Sequence, residues 1–95
     1  MSVVIVGGNE GMVRTYHEVC RQYGCRAKIF PKERGSLKKK IGTPDLLVFF
    51  TGTVSHKMVI SASQEAKRCH IPVAHIHASS ASALETLLAE KLGRM

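Results

Sequence analysis

Long hydrophobic runs are missing from this 95-residue sequence. No segment approaches the roughly 18 consecutive apolar residues that a membrane-spanning helix needs, and residues 1–8 lack the basic start of a secretory signal peptide. Cysteine is scarce: Cys20, Cys25 and Cys69 are an odd number without paired spacing. Scattered thiols are typical of a reducing compartment rather than of a disulfide-linked scaffold. We therefore expect a cytoplasmic protein that has no membrane partner.

Several motifs with known chemistry are absent as well. The chain has no P-loop, no zinc-finger spacing and no readable serine or cysteine nucleophile paired with a histidine. The turn at residues 7–11 has the order G-G-x-x-G, whereas the standard dinucleotide fingerprint is G-x-G-x-x-G. Glu10 is the one carboxylate near the candidate site described below. This shortage of acids argues against an enzyme, and the sequence leaves the identity of any cofactor open.

The apolar run Leu46–Phe50 is the segment around which the fold can be predicted. It does not alternate with polar residues, which indicates a strand buried on both faces of a parallel sheet. Strands are expected near 2–7, 26–30, 45–51 and 71–76, with helical patterns between them and after the last. This alternation predicts one α/β domain over residues 1–95, a small Rossmann-like three-layer fold with a four-stranded parallel sheet of order 2-1-3-4.

Serines mark three predicted helix starts. Ser36 is expected to cap one or two helical turns before the third strand. Ser55 is expected to cap a helix that runs to about Arg68. Ser82 and Glu85 have the spacing of a capping box at the start of the last helix.

Glycines and hydroxyl side chains follow the first and third predicted strands. Ligands of open parallel sheets bind beyond the carboxyl ends of the strands, where the strand order reverses. Here the reversal falls between strands one and three, so loop 7–11 and loop 51–56 should face each other. We expect six residues to contact a small anionic, phosphate-type ligand there: Gly8, Asn9 and Gly11 through backbone or amide groups, and Thr51, Thr53 and His56 through side chains.

Histidines give a second hypothesis, a haem- or metal-binding redox or sensor protein. His56 stands at a predicted helix start, where the helix dipole disfavours its charged form. His75 and His77 close the fourth strand with i, i+2 spacing, so both should point to one face. In this hypothesis His56, with His77 or His75, ligates haem iron or a divalent metal. In the alternative interpretation one of the two strand-end histidines packs and the other is solvated.

Basic residues outnumber acidic ones, 14 to 7, and the formal net charge is +7. Lys38, Lys39 and Lys40 are consecutive, and Lys32 and Arg34 stand nearby. Such an excess favours phosphate esters, nucleic acid or acidic protein surfaces. The third hypothesis is therefore an accessory protein that binds nucleic acid through the lysine run. The alternative is a solvated basic face, since no recognition aromatics are interleaved with the lysines.

Four segments of the chain together resemble a known family. They are the opening V-V-I-V-G-G, the segment Val54-Ser55-His56 with the later Glu65-Ala66-Lys67, the strand Ile71-Pro72-Val73, and the small-residue start of the last helix. Over nearly its whole length the chain is similar to the small bacterial Rossmann-like family called domain of unknown function 2325. The resemblance implies the α/β fold and no particular activity. The chain departs from the family pattern at Gly52-Thr53, at Phe30-Pro31-Lys32 and at His77, so His56 is the candidate residue that the resemblance supports.

The leading hypothesis is a cytoplasmic module that binds or senses a small anionic ligand in the crevice between loop 7–11 and loop 51–56. A second expectation concerns assembly. A four-stranded open sheet leaves two edge strands, and an uncovered edge invites pairing. Because the fourth strand is the more apolar edge, we expect a homodimer that uses this strand or the last helix.

Overall fold

The computed structural model describes residues 1–32 and 37–92, without the side chains of residues 37 and 38. The predicted cap Ser36 and the basic residue Arg34 lie outside this part. The strands are β1 (Ser2–Val6), β2 (Arg26–Phe30), β3 (Leu46–Phe50) and β4 (Val73–Ile76). The helices are a 3-10 turn (Glu10–Met12), α1 (Val13–Gln22), α2 (Leu37–Ile41), α3 (His56–Arg68) and α4 (Ala81–Leu92). Over the described ranges, none of these helices has the length and apolar content for a membrane crossing.

The four strands form one parallel sheet in the order β2-β1-β3-β4, which confirms the predicted topology. β2 has the predicted bounds, and the other three strands differ from the prediction by one or two residues at an end. The largest difference is at β4, which begins at Val73 rather than at Ile71. Pro72 has no amide hydrogen, so it joins the sheet only through its carbonyl, which accepts from the Leu47 amide at 2.9 Å.

Two apolar layers enclose the sheet. Odd-numbered residues of β1 and even-numbered residues of β3 pack against α1 and α4, and the intervening residues pack against α2 and α3. All five residues of β3 are buried, as its unbroken apolar run predicts. Burial of each large apolar side chain stabilises the fold by about 1.5–3 kcal/mol, so β1 and β3 anchor the domain and hold their carboxyl ends in a fixed relation.

Serine caps fix the starts of α3 and α4. The Ser55 hydroxyl accepts from a backbone amide in the first turn of α3 at 3.2 Å, and α3 ends at Arg68, as predicted. At α4 the prediction of a capping box at Ser82 is wrong. The helix begins at Ala81, and the hydroxyl of Ser80 accepts from the Ala83 amide at 3.1 Å. Ser80 directly precedes the first helical residue, which is the position of an N-cap.

The two edges of the sheet differ in charge. β2 exposes Arg26 and Lys28, whereas β4 has the sequence VAHI and carries no lysine or arginine. Lysines on an edge strand discourage pairing with another sheet. We therefore expect two copies of the chain to associate through β4 rather than through β2.

Light scattering at micromolar concentration should give twice the 10.4 kDa protomer mass. His75→Lys places a charge on the exposed face of β4 and should shift the protein to the monomer, because like charges would meet at the pairing strands. His17→Lys adds the same charge on the exposed face of α1 and should leave the dimer intact. A wild-type monomer, or equal dissociation of both variants, contradicts the expectation.

Candidate functional site

The loops that follow β1, β3 and β4 meet at the carboxyl edge of the sheet. The Gly8 amide donates to Thr53 Oγ1 at 2.8 Å, and the hydroxyl oxygens of Thr53 and Ser79 are 3.0 Å apart. The approach of loop 7–11 to loop 51–56, expected from the strand order, is thus present in the structure. Ser79 brings in a third loop that the sequence analysis did not place at the site.

Tyr16 joins the same network from α1. Its hydroxyl donates to the Ser79 carbonyl at 2.6 Å and accepts from the Asn9 amide at 3.1 Å. The side chain is fully buried, and its ring centroid lies 5.0 Å from that of Phe50. The helical period places Tyr16 on the apolar face of α1 but gives no sign of its polar partners, one of which is 63 residues away.

Backbone amides of loop 7–11 are already bonded within the protein. Gly7 donates to the Phe30 carbonyl at 2.9 Å, and Gly11 donates to Asn9 Oδ1 at 2.8 Å, which caps the 3-10 turn. With the Gly8 and Asn9 bonds given above, the amides expected to hold an anion all have protein acceptors. A ligand that reaches Gly8 in this arrangement must first displace the Thr53 hydroxyl.

Gly8 is required by packing. Its φ is +96°, and an added Cβ would lie 2.9 Å from Tyr16 Cε2 and 3.1 Å from Phe50 Cδ2. From the sequence, Gly8 is expected to contact a ligand through its backbone. In the structure, two aromatic rings occupy that space, so the missing side chain serves the core.

Thr51 extends the sheet beyond the end of β3. Its amide donates to the Ile76 carbonyl at 2.7 Å, and its hydroxyl lies 3.4 Å from the same oxygen. The six candidate ligand contacts therefore divide by position. Gly8 and Thr53 lie at the junction of the loops, Asn9 and Gly11 brace loop 7–11, Thr51 lengthens the sheet, and His56 lies exposed in the first turn of α3.

Open hydrogen-bond donors are present in the first turn of α3. No described residue accepts from the amides of His56 and Lys57, whereas Ser55 satisfies the next amide. This turn contains no acidic residue, and the side chains of His56 and Lys57 are exposed. Because a helix N-terminus carries partial positive charge, the first turn of α3 favours an anion.

The three candidate metal or haem ligands have different surroundings. His75 stacks on Phe49 with ring centroids 5.3 Å apart. His77 lies beside Gly52, whose amide donates to the His77 carbonyl at 3.2 Å. The side chain of His56 is exposed and makes no hydrogen bond to a described residue. Within 1–32 and 37–92, no three side chains of histidine, cysteine, aspartate or glutamate form a group that could hold a metal ion. Ligation by two histidines stays a hypothesis.

Cys20 belongs to the core and not to the hydrogen-bond network at the carboxyl edge of the sheet. Cys20 is fully buried in the core, and burial raises the pKa of its thiol to about 11, with neighbouring Cys25 acting in the same direction. A thiol that stays protonated at neutral pH is a poor nucleophile. Cys20 is therefore a packing residue.

A family model described as uncharacterized protein conserved in bacteria (DUF2325) matches residues 2–91. The chain belongs to the DUF2325 family. The match confirms the resemblance drawn from the V-S-H segment and its companions. Comparisons with curated proteins and with solved structures gave no match. Because the family description assigns no activity, the function of this DUF2325 chain has to be argued from the geometry above.

The packing of Gly8 gives a stability prediction. Gly8→Ala should lower the free energy of unfolding by about 1–3 kcal/mol, because the added methyl group meets two buried rings at a left-handed φ. Gly11→Ala is the matched control in the same loop, since its φ is not left-handed and its Cβ would meet only Asn9 Oδ1 at 3.3 Å. Urea unfolding measures both. Equal losses for the two variants would show that the packing around Gly8 is not what requires glycine.

Proposed function

We propose that this DUF2325 chain is a small-ligand-binding or sensory module whose ligand presents an anionic group to the first turn of α3. One observation carries the proposal. Loops 7–11 and 51–56 converge at the switch point between β1 and β3, and the first turn of α3, which follows loop 51–56, has open amide donors. Parallel sheets of this kind bind ligands at that place. The small, odd number of cysteines, Cys20, Cys25 and Cys69, fits a reducing cytoplasm.

The chemistry of the first turn of α3 favours a phosphate or carboxylate group. The amides of His56 and Lys57 would donate to its oxygens, the two side chains would add donors or positive charge, and the exposed Thr53 lies in the loop that leads into the helix. Glu10, the acid nearest in sequence to Gly8, forms an ion pair with Lys32 at 2.9 Å. This pairing reduces the repulsion that Glu10 would otherwise exert on an anion.

Calorimetric titration with inorganic phosphate and with a nucleoside monophosphate tests the proposal. His56→Ala and Lys57→Ala should each weaken binding by about 1–3 kcal/mol, roughly 5- to 150-fold, which is the usual cost of losing a hydrogen bond to a charged group. The side chain of His56 makes no hydrogen bond with a described residue, so its replacement should leave the unfolding midpoint unchanged.

Lys67→Ala is the matched control, because Lys67 is an exposed lysine in the last turn of the same helix. It removes the same charge at the opposite end of α3 and should not alter binding. Absence of binding for both anions at millimolar concentration contradicts the proposal. So does an equal loss of affinity in Lys57→Ala and Lys67→Ala.

A further inference from the structure

Three adjoining concavities follow the open edge of β2. Their volumes are about 460, 570 and 330 Å³ from the amino end of the strand to its carboxyl end. The first two share Ala27 and Lys28, and the last two share Ile29, Phe30 and Lys40. The three concavities therefore adjoin one another along β2, and together we call them the β2 groove.

Basic side chains dominate the β2 groove. Five of them line it: Arg26, Lys28, Lys32, Lys39 and Lys40. The described lining includes one carboxylate, Glu10, which is paired with Lys32. Arg26, Lys28 and Lys39 are exposed and form no ion pair with a described residue. The groove thus presents a local excess of positive charge.

The β2 groove carries more positive charge than the protection of an edge strand requires. Arg26 and Lys28 on β2 alone would suffice to discourage sheet-to-sheet pairing. Here Lys39 and Lys40 on α2 also contribute positive charge, and half-buried Phe30, which packs on the same face of the sheet as α2, lines the groove as well. The five residues of β2 span roughly 16 Å. One strand of B-form DNA carries about five phosphates over that length.

We propose that the β2 groove binds the phosphate backbone of single-stranded nucleic acid. Arg26, Lys28 and Lys39 neutralise successive phosphates, and Phe30 gives an unpaired base an aromatic ring to stack on. The groove lies on the far side of β1 from the α3 N-terminus, because β2 and β3 flank β1 on opposite sides. This inference is therefore independent of the small-ligand proposal.

Fluorescence anisotropy with labelled oligo(dT) and oligo(rU) tests the proposal at several salt concentrations. Three neutralised phosphates predict a slope of log K against log salt of about −2, hence about a 20-fold loss of affinity between roughly 50 and 200 mM salt. Lys28→Gln with Lys39→Gln should reduce the slope to about −0.7.

Lys67→Gln with Lys91→Gln is the matched control, since both lysines are exposed in the last turns of α3 and α4. This variant has the same net charge as the groove variant and should keep the wild-type slope. Circular dichroism checks the fold, and Lys39→Gln alone replaces the double variant if that variant unfolds. The proposal is overturned if the wild type does not bind at low salt or if both double variants lose the same slope. It is also overturned if an oligoglutamate of equal charge competes as well as oligo(dT).

Discussion

The buried hydroxyl of Tyr16 is the interaction on which the carboxyl edge of the sheet depends. It donates to the Ser79 carbonyl and accepts from the Asn9 amide, so it connects the loops after β4 and β1. The Thr53 hydroxyl continues the connection from Gly8 to Ser79 and thereby includes the loop after β3. A buried polar group that loses its partner costs about 1–3 kcal/mol, and groups in one network depend on each other. Three loops from three strands are thus held in one arrangement, and the first turn of α3 begins from that arrangement.

The short helix α2 leaves part of β2 exposed to solvent. α2 has five residues and spans roughly 7.5 Å, about half of the length of β2. On the face of the sheet that carries α2, Val4 and Val6 of β1 are buried. Lys28, the β2 residue paired with Val4, is exposed. A domain of this size already leaves much of its surface in contact with solvent. Because α2 is short, the β2 groove stays open. Lys39 and Lys40 of α2 form one of its walls.

Much of the fold can be predicted from the sequence because the spacing of apolar residues indicates which residues are buried. The unbroken apolar run of β3 indicates burial on both faces, and alternating strands and helices imply a parallel sheet. Strand order then places loops 7–11 and 51–56 together without any knowledge of side-chain contacts. Ser55 can be predicted as a cap because its partner lies three residues away.

Contacts between residues that are distant in sequence cannot be predicted in this way. The pairing of Tyr16 with Ser79 spans 63 residues. The internal bonding of the loop 7–11 amides, and the position of Lys28 across a groove from Lys39, likewise appear only in three dimensions.

A double-mutant cycle on Tyr16 and Thr53 tests this account most directly. Tyr16→Phe removes the buried hydroxyl, Thr53→Val removes the other hydroxyl at nearly constant volume, and urea unfolding gives the free energy of each variant and of the double variant. If one network joins the three loops, the two losses should be coupled by about 0.5–2 kcal/mol, because each substitution leaves the remaining members with weaker partners. Losses that add within about 0.3 kcal/mol would show that the two hydroxyls act independently, and that the carboxyl edge is not held by a shared network.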